Sequence, residues 1–392
     1  MNGSQTVNAQ DYVDPSAGQI VRGLNGHDAF VPALPPSDPP WNPDLTSALS
    51  RADAILGELS GIGRLLPAPE LLIRPYVERE AVLSSRIEGT RASLDDILRP
   101  EPDPAGARRA RDVVEVRNYV AAMDHGLAAL ANRPVISLNL VLELHRVLMT
   151  GIPGERGSNA SPGRFRTSQN WIGRPGSTPA SASYVPPPPE RLMECLADWE
   201  RFINEPSSTP DLVRCALMHE HFEAIHPFND GNGRIGRLLV TLFLIERDRL
   251  SRPLLYLSEY IEANRQEYYR GLQGVRTRGD WINWLLYFLD GVVVTARHAL
   301  DQTTRLIEWR EWARVEFARS VHLVALIDPL LANPYLTVAR ASGILGVSDP
   351  TSRAAIADLE AAGVLTLVPT PGRRRLYISQ LIMEIIDGND HG

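Results

Sequence analysis

The sequence predicts a mainly α-helical protein, and three observations carry this prediction. Most of the 392 residues fall into segments whose apolar side chains recur with a helical period of about 3.6 residues. Prolines and glycines stand at the ends of these segments, where they start and stop helices. The β-prone pieces are short, with two near residues 172 and 184 and two close to the C-terminus.

Composition narrows the class of protein. The chain is 44% hydrophobic and 22% charged, which is typical of a globular protein of two or three domains. A net charge of −7 predicts no general affinity for nucleic acid or for an anionic membrane. The two cysteines, Cys195 and Cys215, lie in helical patterns and indicate a reducing compartment. With no signal-peptide pattern and no apolar run of membrane length, we expect a cytoplasmic protein without a membrane partner.

The N-terminal part divides into two regions. Residues 1–46 are polar and rich in proline, so we expect an extended segment. Residues 47–107 are expected to form a helical segment, with helices at about 45–62, 75–88 and 93–98. In the second helix Pro75 fits the first turn and Gly89 fits a left-handed cap. Glu88 then falls in the last turn, where the helix dipole disfavours a carboxylate, so we expect it to have a partner elsewhere.

Residues 151–190 differ in composition from the two helices predicted before them between about 108 and 150, the second of which has Ser137 as its predicted N-cap. Glycine, serine and proline dominate residues 151–190. Two β-prone pieces, at 170–173 and 183–185, predict a hairpin with a long loop. The preceding run GRFR, residues 163–166, adds two positive charges that either meet phosphates or face solvent.

The strongest functional signal is the run from His226 to Arg237, HPFNDGNGRIGR. It joins a predicted helix over 211–225 to a nearly all-apolar one over 233–248. The glycines at the start of the second helix allow close approach of an anion, which the free N–H groups and the helix dipole favour.

Each polar residue of the run has a predicted role. Arg234 and Arg237 lie three apart, on one helix face, where they reach the same phosphates. Asp230 beside a polyphosphate is suited to a magnesium ion. His226 is the group of the run that can accept a proton near neutral pH.

Three other kinds of site or structure could explain this run: a calcium loop, a zinc site and a structural turn. A calcium loop over 228–239 lacks its carboxylates at Phe228 and Leu239. A zinc site with His219, His221 and His226 has the wrong spacing, because residues i and i+2 of a helix point apart. A structural turn stays open, although two arginines on one face with no matching pair of acids nearby would need another explanation.

The run matches the signature of the Fic family, H-x-F-x-D/E-G-N-G-R-x-x-R, and resembles it at every specified position. The resemblance implies a Fic-fold helical core, here residues 108–300, with a β-hairpin flap. It also implies transfer of AMP from ATP, with Mg²⁺ as cofactor, to a Ser, Thr or Tyr hydroxyl of a target protein. His226 would be the base and Asp230 the metal ligand. The implied nucleotide-binding residues are Gly231, Asn232, Gly233, Arg234, Arg237, Tyr268 and Tyr269.

The segment from Ser84 to Gly89, SSRIEG, is similar to the inhibitory motif S/T-x-x-x-E-G/N of many Fic proteins. The resemblance implies that Glu88 pairs with Arg237 and obstructs the γ-phosphate of ATP. The alternative from the residues alone is a solvated surface glutamate. Within the same pocket, Glu88 could instead orient a water molecule for removal of AMP from a modified protein.

The resemblance also concerns the flap and the adenosine end of the pocket. Trp171, Ile172 and Gly173 would align the target segment by β-addition, and an uninvolved surface loop is the alternative. Tyr268 and Tyr269 would lie against adenosine, with a core aromatic pair as the competing interpretation. Arg276 stands where some relatives have a nucleotide-contacting asparagine.

The C-terminal part begins with a connecting helix over 301–325, which follows an apolar helical stretch at 280–294. Residues 326–392 contain a helix-turn-helix pattern at 337–346 and 350–362, followed by two short strands at 364–368 and 375–378. Asp349 is predicted to cap the second of these helices, Pro350 to occupy its first turn and Gly363 to end it.

This region resembles a winged-helix domain, as many Fic proteins append. Residues 331–392 hold five arginines against six acids, and the candidates for phosphate contacts are Arg353, Arg373, Arg374 and Arg375. DNA binding and a protein-interaction or dimerisation role, including a homodimer, therefore both remain open. A DNA-binding regulator with a nucleotide-sensing core is the rival to an enzyme, but sensing would need no base such as His226.

Overall fold

The computed structural model describes residues 12–66, 69–100, 110–152, 161–174, 176–369 and 375–388. These residues are mainly helical, which confirms the predicted fold class. The helices are α1 (Pro43–Leu65), α2 (Pro69–Ile87), α3 (Leu94–Leu98), α4 (Ala110–Asn132), α5 (Leu138–Met149), α6 (Pro189–Asn204), α7 (Asp211–Ile225), α8 (Asn232–Glu246), α9 (Ser258–Ala263), α10 (Arg265–Arg278), α11 (Trp281–Glu316), α12 (Val321–Ala332), α13 (Val338–Leu345), α14 (Asp349–Ala361) and α15 (Gln380–Asp387).

Short antiparallel strands make up two small sheets. The first pairs β1 (Gly18–Arg22) with β2 (Asp28–Pro32). The second has the order β3 (Tyr335–Thr337), β5 (Leu376–Ile378), β4 (Thr366–Val368). The main hydrophobic core is formed by the helices and extends from α1 to α15.

The expectation of an extended segment over residues 1–46 is wrong for the β1–β2 hairpin, and residues 1–11 lie outside the described part. The missed signal is Asn25-Gly26, a dipeptide that favours hairpin turns because glycine adopts a positive φ, here 81° at Gly26. The hairpin is also tied to the region around Tyr184. Phe30 donates its N–H to the Val185 carbonyl at 2.8 Å and packs against Tyr184.

Helix α2 begins at Pro69, so the predicted start near Pro75 is wrong. Pro75 lies inside the helix, which continues through it without the hydrogen bond that proline cannot donate. The predicted end is confirmed, because α2 stops at Ile87 and Gly89 has a φ of 96°. Glu88 therefore lies one residue beyond the helix. The helix packs against α4, α9 and α12, which places its C-terminal end in the centre of the molecule.

Helix α11 runs without a break for 36 residues and ends at Glu316, so the expectation of a separate connecting helix over 301–325 is wrong. Its first half packs against α1 and α7, and its C-terminal half leads to α12. Buried residues continue along its length from Trp281 to Ala313, which explains the continuity. Among the described helices, none has the combination of length and apolar character needed to span a membrane.

The C-terminal part confirms two helices joined by a short turn, α13 and α14, followed by the two predicted strands. The N-cap of α14 is Ser348 rather than Asp349, which stands in the first turn and accepts a hydrogen bond from Ser342 Oγ at 3.0 Å. Gly363 has the expected positive φ. The third strand, β3, was not predicted. Of the predicted wing arginines, Arg373 and Arg374 lie outside the described residues.

Candidate active site

The run from His226 to Arg237 forms the loop between α7 and α8. His226 ends α7 in the left-handed conformation, with φ 49° and ψ 61°. Gly231, with φ 84°, precedes the first turn of α8 and lets the chain reverse there. The predicted helix–loop–helix arrangement is confirmed, and the free N–H groups of α8 begin at this loop.

Side-chain amides hold the loop in shape. Asn232 accepts a hydrogen bond from the Phe228 N–H and donates one to the Phe228 carbonyl, both at 2.8 Å. Asn170 donates to the same carbonyl at 2.8 Å. Phe228 is fully buried and anchors the loop on its core side. Asn232 therefore shapes the loop, and its side-chain amide is engaged with the protein backbone.

His145, which the sequence analysis overlooked, supports the loop from α5. Its ring stacks on Phe228 with 3.7 Å between centroids. Nδ1 accepts the Gly163 N–H at 3.1 Å, so Nε2 carries the proton that is donated to the Asp230 carbonyl, also at 3.1 Å. A histidine inside an amphipathic helical pattern gave no sequence signal for this role.

The imidazole of His226 is held neutral by its surroundings. Burial lowers its pKa to about 3, and the positive charges of Arg166 and Arg276 add to this effect, whereas Glu88 opposes it. A neutral imidazole at physiological pH can accept a proton from a hydroxyl group. The side chain is half-buried, so it also faces outward.

Arg234 lies below the loop and is fully buried. It donates to Glu115 at 2.9 Å and to Asp230 Oδ1 at 3.4 Å. The expectation that Arg234 clamps phosphates stays a prediction, and in this structure its guanidinium is enclosed and already paired with Glu115 and Asp230. Glu115 lies 119 residues away in the sequence, too far for pattern reasoning to find it.

Arg237 is bound to the segment that resembles the inhibitory motif. Its Nε donates to Ser84 Oγ at 2.9 Å, and its Nη2 donates to the Ser84 carbonyl at 3.0 Å and to Glu88 Oε1 at 2.7 Å. The expectation of no matching acids near the two arginines is thus wrong, because Arg237 is paired with Glu88 and Arg234 with Glu115 and Asp230. The expected contact between Glu88 and Arg237 is present.

The Glu88 carboxylate lies against the first turn of α8. A β-carbon at Gly233 would collide with Glu88 Oε1, so this approach requires glycine. Burial favours the protonated form of Glu88, but the charge and hydrogen bond of Arg237, together with Arg234 and His226, outweigh it and lower its pKa. The carboxylate is therefore ionised at neutral pH, at the place where the helix favours an anion.

The two tyrosines proposed for the adenosine end are placed differently. Tyr268 is buried, and its hydroxyl forms a 2.8 Å hydrogen bond with His219 Nε2. Tyr269 is about half exposed, with its ring centroid 5.3 Å from that of Tyr268. Tyr268 therefore fits the core interpretation, and Tyr269 keeps a surface that a ligand could meet.

Arg276 is buried and connects three elements. Its Nε donates to Glu220 Oε1 of α7 at 3.2 Å, and its guanidinium lies 4.1 Å from the ring centroid of Tyr184. This placement explains how an arginine is accommodated at a position where some related sequences have asparagine. It also puts a second positive charge near His226.

The predicted flap is present in reduced form. Ile172 and Tyr184 form a single antiparallel bridge, and the structure describes no longer strand pair there. Trp171 is 41% exposed and donates its Nε1–H to the Ser177 carbonyl at 2.9 Å. Gly173 is also exposed. Pro175 lies outside the described residues.

Asp230 is the candidate ligand for Mg²⁺. Asp230 Oδ1 accepts hydrogen bonds from Gly231 and Arg234, and the side chain is 30% exposed. In the described part of the chain no group of three or more His, Cys, Asp or Glu could hold a metal ion. A single exposed carboxylate fits an ion that takes its other ligands from phosphates and water.

Two family models match the chain. The model described as Fic/DOC family N-terminal matches residues 46–128, and the Fic/DOC family model matches residues 135–244. Glu88 falls inside the first match and the run from His226 to Arg237 inside the second. The N-terminal hairpin and residues after 244 lie outside both.

Several curated proteins are similar to the chain. Protein adenylyltransferase fic-1 of Caenorhabditis elegans is 34% identical over 178 residues, which cover 43% of this chain and 30% of that protein. A probable protein adenylyltransferase of Aquifex aeolicus is 28% identical, covering 50% of this chain and 58% of the relative. Protein adenylyltransferase Fic of Culex quinquefasciatus is 30% identical, and the match covers 54% of this chain and 36% of that protein. The chain thus spans between about a third and three fifths of these relatives.

A solved structure supports the fold. The crystal structure of a Fic family protein from Desulfovibrio desulfuricans G20 superimposes with a TM-score of 0.55 at 22% sequence identity. The match covers 88% of this chain and 98% of that one. At this identity the similarity concerns the fold, including helices beyond residue 244.

Proposed function

From the premise that the chain belongs to the Fic/DOC family, we propose that it is a protein adenylyltransferase. It would transfer AMP from ATP to a Ser, Thr or Tyr hydroxyl of a target protein and release diphosphate. The observation that carries the proposal is the loop between α7 and α8, where a neutral His226 stands beside the first turn of α8. Three relatives of the chain carry the name protein adenylyltransferase. Mass spectrometry of the protein with ATP and Mg²⁺ tests the proposal through a mass increase of one AMP.

His226 supplies general-base catalysis in this proposal. Its neutral imidazole accepts the proton of the target hydroxyl, whose oxygen attacks the α-phosphorus in line with the leaving diphosphate. The N–H groups at Asn232 and Gly233 provide fixed positive dipoles for the negative charge on the phosphates, whereas the Gly231 N–H is bonded to Asp230 Oδ1 at 2.6 Å. Arg237 is the arginine that would meet the phosphates, since Arg234 is enclosed with Glu115.

Asp230 is proposed to hold the magnesium ion of the ATP complex. Its partly exposed carboxylate and its place in the loop support this role. Arg234 and the ring of His145 orient Asp230, the first through the carboxylate and the second through the carbonyl. A bound Mg²⁺ would neutralise charge on the phosphates.

Asp230→Asn is expected to abolish the response of AMP transfer to Mg²⁺, because the amide has no charge to offer the ion. ATP affinity measured by calorimetry in EDTA should match that of the unchanged protein. Asp248→Asn, at the exposed end of α8, is the control and should retain the Mg²⁺ response. Identical Mg²⁺ titrations of the two Asp230 forms would contradict the assignment.

We propose further that Glu88 keeps the enzyme inhibited. Its carboxylate lies at the N-terminal end of α8 and is bonded to Arg237. A phosphate would compete for both positions, because the helix end and the guanidinium each favour an anion. Ser84 supports the inhibited arrangement by accepting the Nε–H of Arg237.

The reverse reaction is the second candidate, and the ionised state of Glu88 favours it. A carboxylate with a lowered pKa, next to His226, has the charge needed to orient a water molecule. Incubation with a pre-modified protein, with release of AMP as the readout, distinguishes removal from transfer.

The flap is proposed to align the target. The antiparallel bridge between Ile172 and Tyr184 fixes the direction of the chain in the flap. Trp171 and Gly173 are exposed on either side of Ile172. Backbone groups on such an edge can add a target strand. An ATP-dependent enzyme with a protein target and no membrane partner suits the cytoplasmic location that we propose.

For the C-terminal part we propose a winged-helix arrangement built from α13, α14 and the β3–β5–β4 sheet. Among the described residues the candidates for phosphate contacts are few. One of them, Arg353 on α14, has its Nη2 3.6 Å from Asp349 Oδ2, so an acid lies beside its positive charge. A protein partner or a second copy of the chain is therefore preferred to DNA as its ligand.

Duplex DNA is expected to bind weakly, with a shallow dependence on salt. Each phosphate contact contributes about 0.9 to the slope of log K against log salt, so four arginines give about −3.6 at most. Fluorescence anisotropy at several salt concentrations measures this slope, and Arg353→Ala should reduce it by about 0.9 if Arg353 contacts a phosphate. A slope much steeper than the four arginines allow would favour the DNA-binding interpretation.

A further inference from the structure

Arg166, just before the flap, is a buried cation that forms no ion pair with an acidic residue in the described part of the chain. Its side chain and backbone are 3% exposed, and among the described residues no carboxylate contributes to its electrostatic environment. Burial lowers the pKa of its guanidinium to about 10, which leaves it charged at neutral pH. A buried charge without a counter-ion is costly, so its retention needs a physical reason.

The guanidinium is bonded to carbonyl groups at the end of α7. Its Nε donates to the His226 carbonyl at 2.9 Å and its Nη2 to the Ile225 carbonyl at 3.4 Å. The backbone N–H of Arg166 donates to the Pro227 carbonyl at 3.0 Å. The last carbonyls of a helix lack partners and carry partial negative charge, so this helix end replaces the missing carboxylate.

These bonds support an unfavourable backbone conformation at His226. A residue with a β-carbon is strained at φ 49° because the β-carbon approaches the following carbonyl. The backbone conformation fixes where the imidazole points. Arg166 therefore influences the position of the His226 ring without touching the ring.

The same guanidinium holds both ends of the flap. Its Nη1 donates to the Ser168 carbonyl at 3.3 Å and its Nη2 to the Pro187 carbonyl at 2.6 Å. The segment between these two residues contains the bridge of Ile172 and Tyr184. One side chain thus connects the base to the segment proposed to align the target.

Arg166 also contributes to the charge around the imidazole. The groups that face His226 are Arg166, Arg276 from α10, Glu88 after α2 and the Glu223 carbonyl from α7. The two arginines disfavour the imidazolium ion, whereas Glu88 and the carbonyl favour it. Removing either arginine would make protonation of His226 easier.

We infer that Arg166 is a positioning residue for AMP transfer: it holds His226 and the flap in one fixed arrangement. The inference rests on the proposed function. It adds to that function the residue that fixes the position of His226 relative to the flap, the segment proposed to align the target.

Two substitutions separate the geometric and electrostatic contributions, each made together with Glu88→Gly. Arg166→Met removes charge and hydrogen bonds, and we expect AMP transfer to fall about 10²-fold, the loss that a misplacement of about 1 Å can cause. Arg166→Lys keeps the charge but loses the planar set of donors, so a smaller loss is expected. Calorimetric affinity for ATP with Mg²⁺ should change less than twofold in both. Arg164→Met removes an exposed arginine two residues away and should have no effect.

A second measurement requires no catalysis. NMR titration of the His226 ring, assigned by its loss in His226→Asn, should show a higher pKa in Arg166→Met than in the unchanged protein, and a nearly unchanged pKa in Arg166→Lys. Hydrogen exchange of the Ile172 and Tyr184 amides should be faster in Arg166→Met, because the flap ends are released.

The outcomes separate this inference from the proposed function. Absence of transfer in every form, with the expected changes in titration and exchange, would contradict the proposed function and support the placement of Arg166. Unchanged titration and exchange in a folded Arg166→Met protein would overturn the inference. If Arg166→Met does not fold, hydrogen exchange in Arg166→Lys tests the geometric part, because lysine lacks the planar set of donors and faster flap exchange is expected there too; unchanged exchange in Arg166→Lys would then overturn the inference.

Discussion

Replacing Glu88 with glycine is expected to raise AMP transfer by on the order of 10²-fold, the cost of holding reacting groups about 1 Å out of place. In the present structure Arg237 is bonded to Glu88 at 2.7 Å, and the carboxylate lies against the first turn of α8. Because the carboxylate is tethered at the end of α2, its effective concentration is high and it competes with the γ-phosphate. Removing it frees both anion positions. Labelled ATP and gel autoradiography measure the transfer.

Matched variants test the reason for this increase. Arg237→Ala should be inactive and should stay inactive when combined with Glu88→Gly, because the same guanidinium then meets no phosphate. Ser84→Ala should give a smaller increase, since it removes one of the bonds that hold Arg237 toward α2. Glu70→Gly, in the exposed first turn of α2, is the control for a Glu-to-Gly change on this helix. Equal transfer by the unchanged and Glu88→Gly proteins would refute inhibition by Glu88.

Replacing His226 with alanine or asparagine should lower AMP transfer by about 10²–10⁴-fold, the usual contribution of a general base. ATP affinity should remain nearly unchanged, because the imidazole acts on the target hydroxyl and not on the phosphates. Asparagine tolerates the left-handed conformation better than alanine does, so it keeps the loop intact. His298→Ala removes a half-exposed histidine on α11 and serves as the control.

The pH dependence gives an independent check. Since burial and two arginines lower the pKa of His226 to about 3, the ring stays in its base form well below neutral pH. Transfer by Glu88→Gly should therefore show no acid limb with a midpoint between about pH 6 and 7, where an unperturbed histidine would titrate. A midpoint in that interval, lost in His226→Asn, would show that the ring is not held neutral as described.

Local sequence patterns were sufficient for most of the helices and for the loop between α7 and α8. The apolar period, the caps at Ser137 and Gly89 and the glycines around Asn232 are properties of short segments, and the structure has them where they were predicted. The hairpin at residues 18–32 was also readable from Asn25-Gly26 but was overlooked because proline dominates the residues that follow it.

Partners distant in sequence could not be predicted in this way. Glu115 reaches Arg234 across 119 residues, and His145 reaches Asp230 across 85. No local period or spacing encodes such pairs, so Arg234 was assigned to phosphates when its charge is already balanced. Arg166 was predicted only as a positive charge, because its burial depends on contact with the C-terminal end of α7, which is distant in the sequence. The contact between Glu88 and Arg237, 149 residues apart, was predicted only through family resemblance.

The packing of α12 and α15 against α2 links the two ends of the molecule. Helix α2 carries Ser84 and leads directly to Glu88, while α11, about 54 Å long at 1.5 Å per residue, carries the chain from the catalytic half to α12. Thermodynamic linkage is reciprocal: a ligand of the C-terminal part that displaces α2 changes the affinity for ATP by some factor, and ATP changes the affinity for that ligand by the same factor. A ligand of the C-terminal part would therefore be detected by the change in its binding that saturating ATP produces.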